Sequence, residues 1–303
     1  MTNYSLTIIL PARNEAINLR PLLVKLTTQF SDAEIIVVND GSTDDTIELC
    51  RSFSVRVVSH PYGLGNGAAI KAGARAATGA RLVLMDADGQ HNPGDIPLLL
   101  AKLDDGYAMA VGARRDGSQA SWGRKVANRI YNRMASWMTN HPVLDLTSGF
   151  RAVRTDQFRE FLYLLPNGFS YPSTITMAFF RSGYPVAYVP IVADRREGKS
   201  HIRPLQDGVR FLLIIFKIGT LYSPLKLFFP ISLGFFLLGL WYYSYTFITQ
   251  GRFTNMGVVL FVTAVVVFLM GLVSEQISGL FYQKSGGQEI RDSAGSRNFH
   301  AEY

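Results

Sequence analysis

Arg81-Leu-Val-Leu-Met-Asp86-Ala-Asp88-Gly-Gln90 is a short apolar run that ends abruptly in two carboxylates and an amide. In an extended segment residues i and i+2 face the same way, so strand geometry persisting to the end of the run brings Asp86 and Asp88 to one point. Two carboxylates about 4 Å apart repel by roughly 4 kcal/mol at an effective dielectric near 20, a cost that a shared divalent cation reverses. Hard oxygen donors without a Cys or His cluster favour Mg²⁺ or Mn²⁺ over Zn²⁺. Mg²⁺ in particular is held by one or two carboxylates plus substrate phosphates. The competing reading of the same residues is a solvated acidic loop after a buried strand.

Upstream and downstream of this run, short β-rich segments alternate with helical patterns. Leu6 to Leu10, Glu34 to Val38, Val55 to Val58, Leu82 to Met85 and Ala108 to Val111 read as strands, and Ile17 to Phe30, Asp44 to Phe53, Ala68 to Ala77 and Ile96 to Leu103 as helices. That order predicts an α/β fold with a mainly parallel sheet covered by helices. Ligands of such sheets bind outside the carboxyl ends of the strands. The polar motifs fall there: Pro11-Ala-Arg13-Asn14-Glu15 after the first strand, Asn39-Asp40-Gly41-Ser42-Thr43-Asp44 after the second, and Asp86/Asp88 after the fourth. Asp40 suits a ribose or a base edge, whereas Ser42 and Asp44 suit capping of the next helix.

Gly63-Leu-Gly65-Asn-Gly67-Ala68 fits G-x-G-x-x-A before a helix, as in a dinucleotide-binding fingerprint. That fingerprint belongs to the first strand-to-helix turn, and here it follows a third strand, so the glycines read as a tight turn with close helix packing. Farther on, Val111-Gly-Ala-Arg114, Trp122-Gly-Arg124-Lys125, Asp145-Leu-Thr-Ser148-Gly149-Phe150-Arg151 and Arg195-Arg196-Glu-Gly198-Lys199-Ser200-His201 supply cations and glycines in loops. Together, beside a metal site, they point to several phosphates.

The remaining chain is apolar. At 303 residues and 48% hydrophobic, with a slightly positive mean hydropathy, the protein concentrates its excess near the end. Leu227 to Ile248 and Gly257 to Leu280 carry no charge before Glu275, and each is long enough to cross a hydrocarbon core of about 30 Å. The loop between them, Thr249 to Met256, holds one cation, Arg252, whereas Arg203, Arg210, Lys217 and Lys226 precede the first span and Lys284 and Arg291 follow the second. This asymmetry places the N-terminal region and the C-terminal tail in the cytoplasm. Pro204 to Gly219 reads as an amphipathic helix lying at the interface, with a buried helix as the alternative. Met1 to Leu10 lacks the features of a signal peptide, and the one cysteine, Cys50, excludes an internal disulfide. The net charge of +7 suits an anionic membrane surface better than nucleic acid.

PARNE, VVNDGSTDDT, MDADGQHNP, VGAR, DLTSGFRAVR and REGKSHI follow one another as in family 2 glycosyltransferases, and with the two spans the chain resembles polyprenyl-phosphate glycosyltransferases of the dolichol-phosphate mannose synthase type. The resemblance implies a GT-A (Rossmann-like) domain over residues 1–202, an interfacial helix region over 203–226, two transmembrane helices over 227–281 and a cytosolic tail over 282–303. It implies inverting transfer of a hexose from a GDP- or UDP-sugar to undecaprenyl or dolichyl phosphate at the cytosolic membrane face. Asp88 and Gln90 then hold Mg²⁺ or Mn²⁺, Asp86 contacts the nucleotide or the metal, and Pro11, Arg13, Glu15 and Asp40 line the nucleoside pocket. Arg114 and Arg124 hold the lipid phosphate, with Asn128 one helical turn beyond Arg124. Arg196, Lys199 and Ser200 lie near the diphosphate or the acceptor phosphate. Asp145 orients a sugar hydroxyl or an arginine and is not an obligate base. The spans also offer a surface for self-association. A processive polysaccharide synthase, which carries a Q-x-x-R-W motif not found here, and a membrane-anchored nucleotide-sugar-binding protein are the alternatives.

Overall fold

The computed structural model describes residues 4–114, 122–168, 171–192, 216, 219–220, 222–252 and 254–297, with backbone alone for 122–127 and 281–297. The chain divides into two compact units, Met1–Ile202 and Arg203–Tyr303. In the first, a seven-stranded sheet contains β1 (Leu6–Ala12), β2 (Glu34–Asp40), β3 (Arg56–His60), β4 (Arg81–Leu84), β5 (Met109–Arg114), β6 (Arg151–Arg154) and β7 (Val186–Ile191). Their order is β3-β2-β1-β4-β6-β5-β7, parallel except where β6 runs antiparallel between β4 and β5.

Both faces are covered, which explains why β1 and β2 are apolar almost throughout rather than alternating. Helices α1 (Ala16–Gln29), α2 (Thr46–Arg51) and α4 (Ile96–Asp104) send Leu19, Leu23, Leu26, Leu49, Ile96 and Leu99 onto Ile8, Leu10, Val37 and Val83. On the opposite face α3 (Asn66–Ala76) approaches so closely that a side chain at Gly73 would meet Ile9 and Val38. Helices α5 (Trp122–Thr139), α6 (Thr155–Glu160) and α7 (Tyr171–Arg181) complete the domain.

The sequence reading placed five strands and four helices of this domain and missed β6, β7, α5, α6 and α7. The second unit holds α8 (Pro224–Gln250) and α9 (Asn255–Arg297), of which Pro224–Gln250 and Asn255–Leu280 are long and apolar enough to cross a membrane. Helix α9 continues through the expected tail as far as Arg297. The expected interfacial helix at 204–219 lies almost entirely outside the described residues.

Candidate active site

The carboxyl ends of β1, β2 and β3 are tied into one surface by their own turns. Asn14, at φ 56°, accepts the Thr43 N–H at 2.8 Å and donates its own N–H to Ser42 Oγ at 3.0 Å. Asp44 accepts from the Ala16 N–H at the start of α1 and from the Thr46 N–H at the start of α2. Asp44 therefore caps two helices, whereas Ser42 bridges to the first turn instead of capping α2. Glu15, immediately before α1, accepts from Asn18 Nδ2 at 2.7 Å.

Asp40 is buried, and its carboxylate is spent on the loop after β3. It accepts the N–H groups of Leu64 and Gly65, each at 2.8 Å, and lies 2.8 Å from His60 Nδ1. Burial raises its pKa, but these hydrogen bonds favour the charged form more strongly and hold the group below the usual carboxylate range. The Arg13 guanidinium packs against Gly63 of the same loop, in the space a side chain there would fill. Arg13 and Asp40, expected to share a pocket, thus meet the same five-residue loop. Pro11 stands in register with Val38 at the end of β1.

The glycines of that loop serve backbone contact. Gly67 N–H and Ala68 N–H, at the start of α3, donate to the carbonyls of Gly168 and Asn167. A Cβ at Gly65 would stand 2.5 Å from the Asn167 carbonyl oxygen, and one at Gly67 would strike that of Pro166. Two amide donors a pyrophosphate would need at a helix N-terminus are already occupied, so the G-x-G-x-x-A stretch is a packing device, as its position implied.

Strand geometry does not carry Asp86 and Asp88 to one point. β4 stops at Leu84, the chain turns at Ala87-Asp88, and Asp88 accepts the Gln90 N–H at 3.2 Å. A turn closed by Gly89, at φ 75°, replaces strand alternation as the device that presents this loop. Gly149 lies against it: a Cβ there would be 2.6 Å from Asp86 Oδ2. His91, 6% exposed, stacks on Phe150 with ring centres 5.0 Å apart. Burial lowers its pKa to about 4 despite the attraction of Asp88, so the imidazole is neutral at pH 7.

Arg114, at the end of β5, forms a fork with Asp145: Nε to Oδ2 at 2.8 Å and Nη2 to Oδ1 at 3.0 Å, with Nη2 also donating to Thr147 Oγ1 at 2.7 Å. Asp145 further accepts the N–H groups of Arg114, Thr147 and Ser148. Burial raises its pKa, and the guanidinium and these amides outweigh that and lower it. Asp86 adds to the potential that stabilises the Arg114 charge. The structure thus gathers Asp86, Asp88, Arg114 and Asp145 near one another, around His91 and Gly149. Neither His91 nor the contact of Gly149 with Asp86 was foreseen from sequence; the only signal was that both stand inside the quoted motifs. Asn128 is half-buried on α5. The Arg124 side chain and residues Arg196, Lys199 and Ser200 lie outside the described residues.

Over residues 7–162 the chain matches the family described as Glycosyl transferase family 2, and over residues 223–280 the GtrB C-terminal hairpin. The chain belongs to glycosyl transferase family 2. It is a glycosyltransferase of GT-A fold followed by a GtrB-type hairpin. Crystal structures of glucosyl-3-phosphoglycerate synthase from Mycobacterium tuberculosis share the fold. The complex with Mn²⁺ and UDP-glucose is 24% identical, covers 71% of this chain and 78% of its own, and superposes with a TM-score of 0.57. The complex with Mn²⁺, UDP and glucosyl-3-phosphoglycerate gives 22%, the same coverage and 0.56. A further structure, of a mycobacterial protein, gives 22% identity, 72% and 74% coverage and a TM-score of 0.58.

Proposed function

We propose that this glycosyltransferase moves a hexose from a GDP- or UDP-sugar to polyprenyl phosphate at the cytosolic face of a membrane, inverting the anomeric centre. The observation that carries the reading is the union, in one chain, of a family 2 domain with a GtrB-type hairpin of two apolar helices. A water-soluble acceptor does not require such a hairpin; an acceptor with a long prenyl chain and a phosphate at the headgroup level does.

The donor side fits a divalent cation. Asp86, Asp88 and Gln90 offer hard oxygens on one loop, and among the described residues no group of three His, Cys, Asp or Glu forms a full cage. That incomplete donor set suits Mg²⁺ or Mn²⁺, whose remaining positions are filled by diphosphate oxygens and water. When bound, such an ion neutralises charge on the leaving diphosphate. The similar synthase structures that hold Mn²⁺ with UDP or UDP-glucose support this assignment. Arg13 and the loop held by Asp40 form one wall of the nucleoside pocket, with Pro11 and Glu15 beside them.

The acceptor needs no strong base. A phosphate monoester has a second pKa near 6 and is mostly a dianion at pH 7. The protein's task is to bring anions together in line. Arg114, held by Asp145 and Thr147, is preorganised for this, and Arg124 is its partner by family position. Asp145 is an ionised carboxylate engaged by Arg114 and three amides, so its work is to orient the arginine. Arg196, Lys199 and Ser200 belong near the two phosphate groups. The test offers the purified full-length protein a panel of GDP- and UDP-sugars with one short polyprenyl phosphate and weighs the lipid product. A mass gain of one hexose with a single donor is expected; nucleotide release without any glycosylated lipid overturns the acceptor assignment.

A further inference from the structure

Arg151 is fully buried at the first position of β6, yet none of its recorded hydrogen-bond acceptors is charged. Nε donates to the Ser148 carbonyl at 2.7 Å, Nη2 to the Leu146 carbonyl at 3.3 Å, and Nη1 to Thr176 Oγ1 on α7 at 2.7 Å. A guanidinium taken out of water and left with neutral acceptors is costly, and an apolar residue of the same volume is often the more stable choice. The site therefore uses the fork itself. Beside a contact of Nη1 with Met109 Sδ at 3.8 Å, the other three acceptors fix two carbonyls of one loop and tie that loop to a separate helix, a task a point-charged ammonium does poorly.

The loop so held, Leu146 to Phe150, is the wall behind the metal-binding turn. Gly149 lies so close to Asp86 that a methyl group there would press on Oδ2, and the Phe150 ring supports His91 at the far end of the same turn. Burial lowers the Arg151 pKa, and Asp145 and Asp86 offset only part of that through space. A rigid wall at this place decides where the Asp86 carboxylate can stand. Displacement of a binding group by about 1 Å can lower turnover a hundredfold.

We propose that Arg151 is a positioning residue for the donor side of the site, acting through the Leu146 and Ser148 carbonyls and through Gly149 to fix the Asp86 carboxylate. The proposal rests on the reading of Asp86 as part of the metal and nucleotide site. The test uses the full-length protein in detergent, with calorimetry of nucleoside diphosphate binding in the presence of Mn²⁺, KM for polyprenyl phosphate, and thermal unfolding. Arg151→Lys and Gly149→Ala should each weaken Mn²⁺-dependent nucleotide binding at least tenfold and leave the lipid KM within threefold. Gly149→Ala should also lower Tm in the wild-type background and much less in Asp86→Ala, where the opposing carboxylate is gone. Wild-type nucleotide affinity in folded Arg151→Lys, or an equal Tm loss for Gly149→Ala in both backgrounds, overturns the proposal. Should Arg151→Lys not fold, Thr176→Val, which removes one anchor of the same guanidinium, should weaken Mn²⁺-dependent nucleotide binding in its place, and wild-type affinity in that folded variant overturns the proposal. Unchanged Mn²⁺-dependent binding by Asp86→Ala is a separate result, and it overturns the donor-site reading itself.

Discussion

Arg114 and Asp145 illustrate how a residue assigned to a substrate can also be part of the scaffold. Asp145 is 5% exposed, so removing the guanidinium strands a buried carboxylate. Breaking such a pair from one side costs about 3–5 kcal/mol. Arg114→Ala should therefore lower the stability of the folded protein by that order, and the Arg114→Ala/Asp145→Ala double variant should lose less than the two single losses combined; chemical denaturation checks both. Additive losses would mean that the fork contributes nothing to folding. Asp88→Ala is expected to behave differently. It should keep the fold and lose at least a hundredfold in turnover, as should the wild type in excess EDTA, and full activity in EDTA would remove the metal from the mechanism. Strand alternation does not place the two carboxylates, because β4 stops at Leu84 and a turn follows, but the acidic loop itself was legible in sequence as two carboxylates ending an apolar run. Gly149 and His91 were not, because their contacts with Asp86 and Phe150 join segments about sixty residues apart that only the sheet order brings together.

At the level of elements, close approach decides what a glycine tolerates. Alanine at position 67 would favour helix α3 by up to about 1 kcal/mol, but its methyl group would enter the Pro166 carbonyl, and overpacking of this kind costs about 1–3 kcal/mol. Gly67→Ala should therefore destabilise on balance, as a lower Tm would show; a higher Tm would mean that the 166–168 loop yields freely. Glu34 joins three elements in a similar way. Its buried carboxylate accepts from Thr7 Oγ1 on β1 at 2.6 Å, from both Thr78 groups after α3, and from Arg56 on β3. Burial raises its pKa, and these bonds together lower it below the ordinary 4.5. A depressed carboxylate contributes stability above its unfolded pKa and loses that contribution as pH falls through the folded value. Glu34→Gln should accordingly lose Tm near neutrality and show a smaller further drop below about pH 4.5 than the wild type. The long apolar strands were easy to read. β6 was not, since Arg-Ala-Val-Arg is four residues long and owes its place to antiparallel pairing on both sides. α5 was not either, because Arg124 and Lys125 beside Gly123 made its start look like a phosphate-binding loop.

Across the whole molecule, the two long helices present a surface that water would not tolerate. Side chains such as Phe236, Leu237, Trp241, Phe247, Val262, Val266 and Leu269 are exposed along them. Among the described residues the seam between the helices is closed, where Ser232 Oγ donates to the Ala264 carbonyl at 2.8 Å and Gly239 and Gly271 admit Phe261 and Phe228. Glu275, the one acidic residue in either span, accepts the Leu225 N–H at 3.1 Å and so occupies an orphan donor in the first turn of α8. That contact brings the start of the first helix level with the end of the second, so a membrane crossed by both would meet the two ends at one face. The cations flanking that face, set against the lone Arg252 in the connecting turn, support the proposed cytoplasmic placement by the positive-inside rule. Cysteines introduced at Thr249 or Met256 should therefore react with an impermeant thiol reagent in sealed cells, and a cysteine at Ser285 should react only after permeabilisation. Cys50 is buried among core residues and adds no background. Labelling of position 285 in sealed cells would place the catalytic domain on the outer side, away from cytosolic nucleotide sugars, and would overturn the proposed direction of transfer along with the topology.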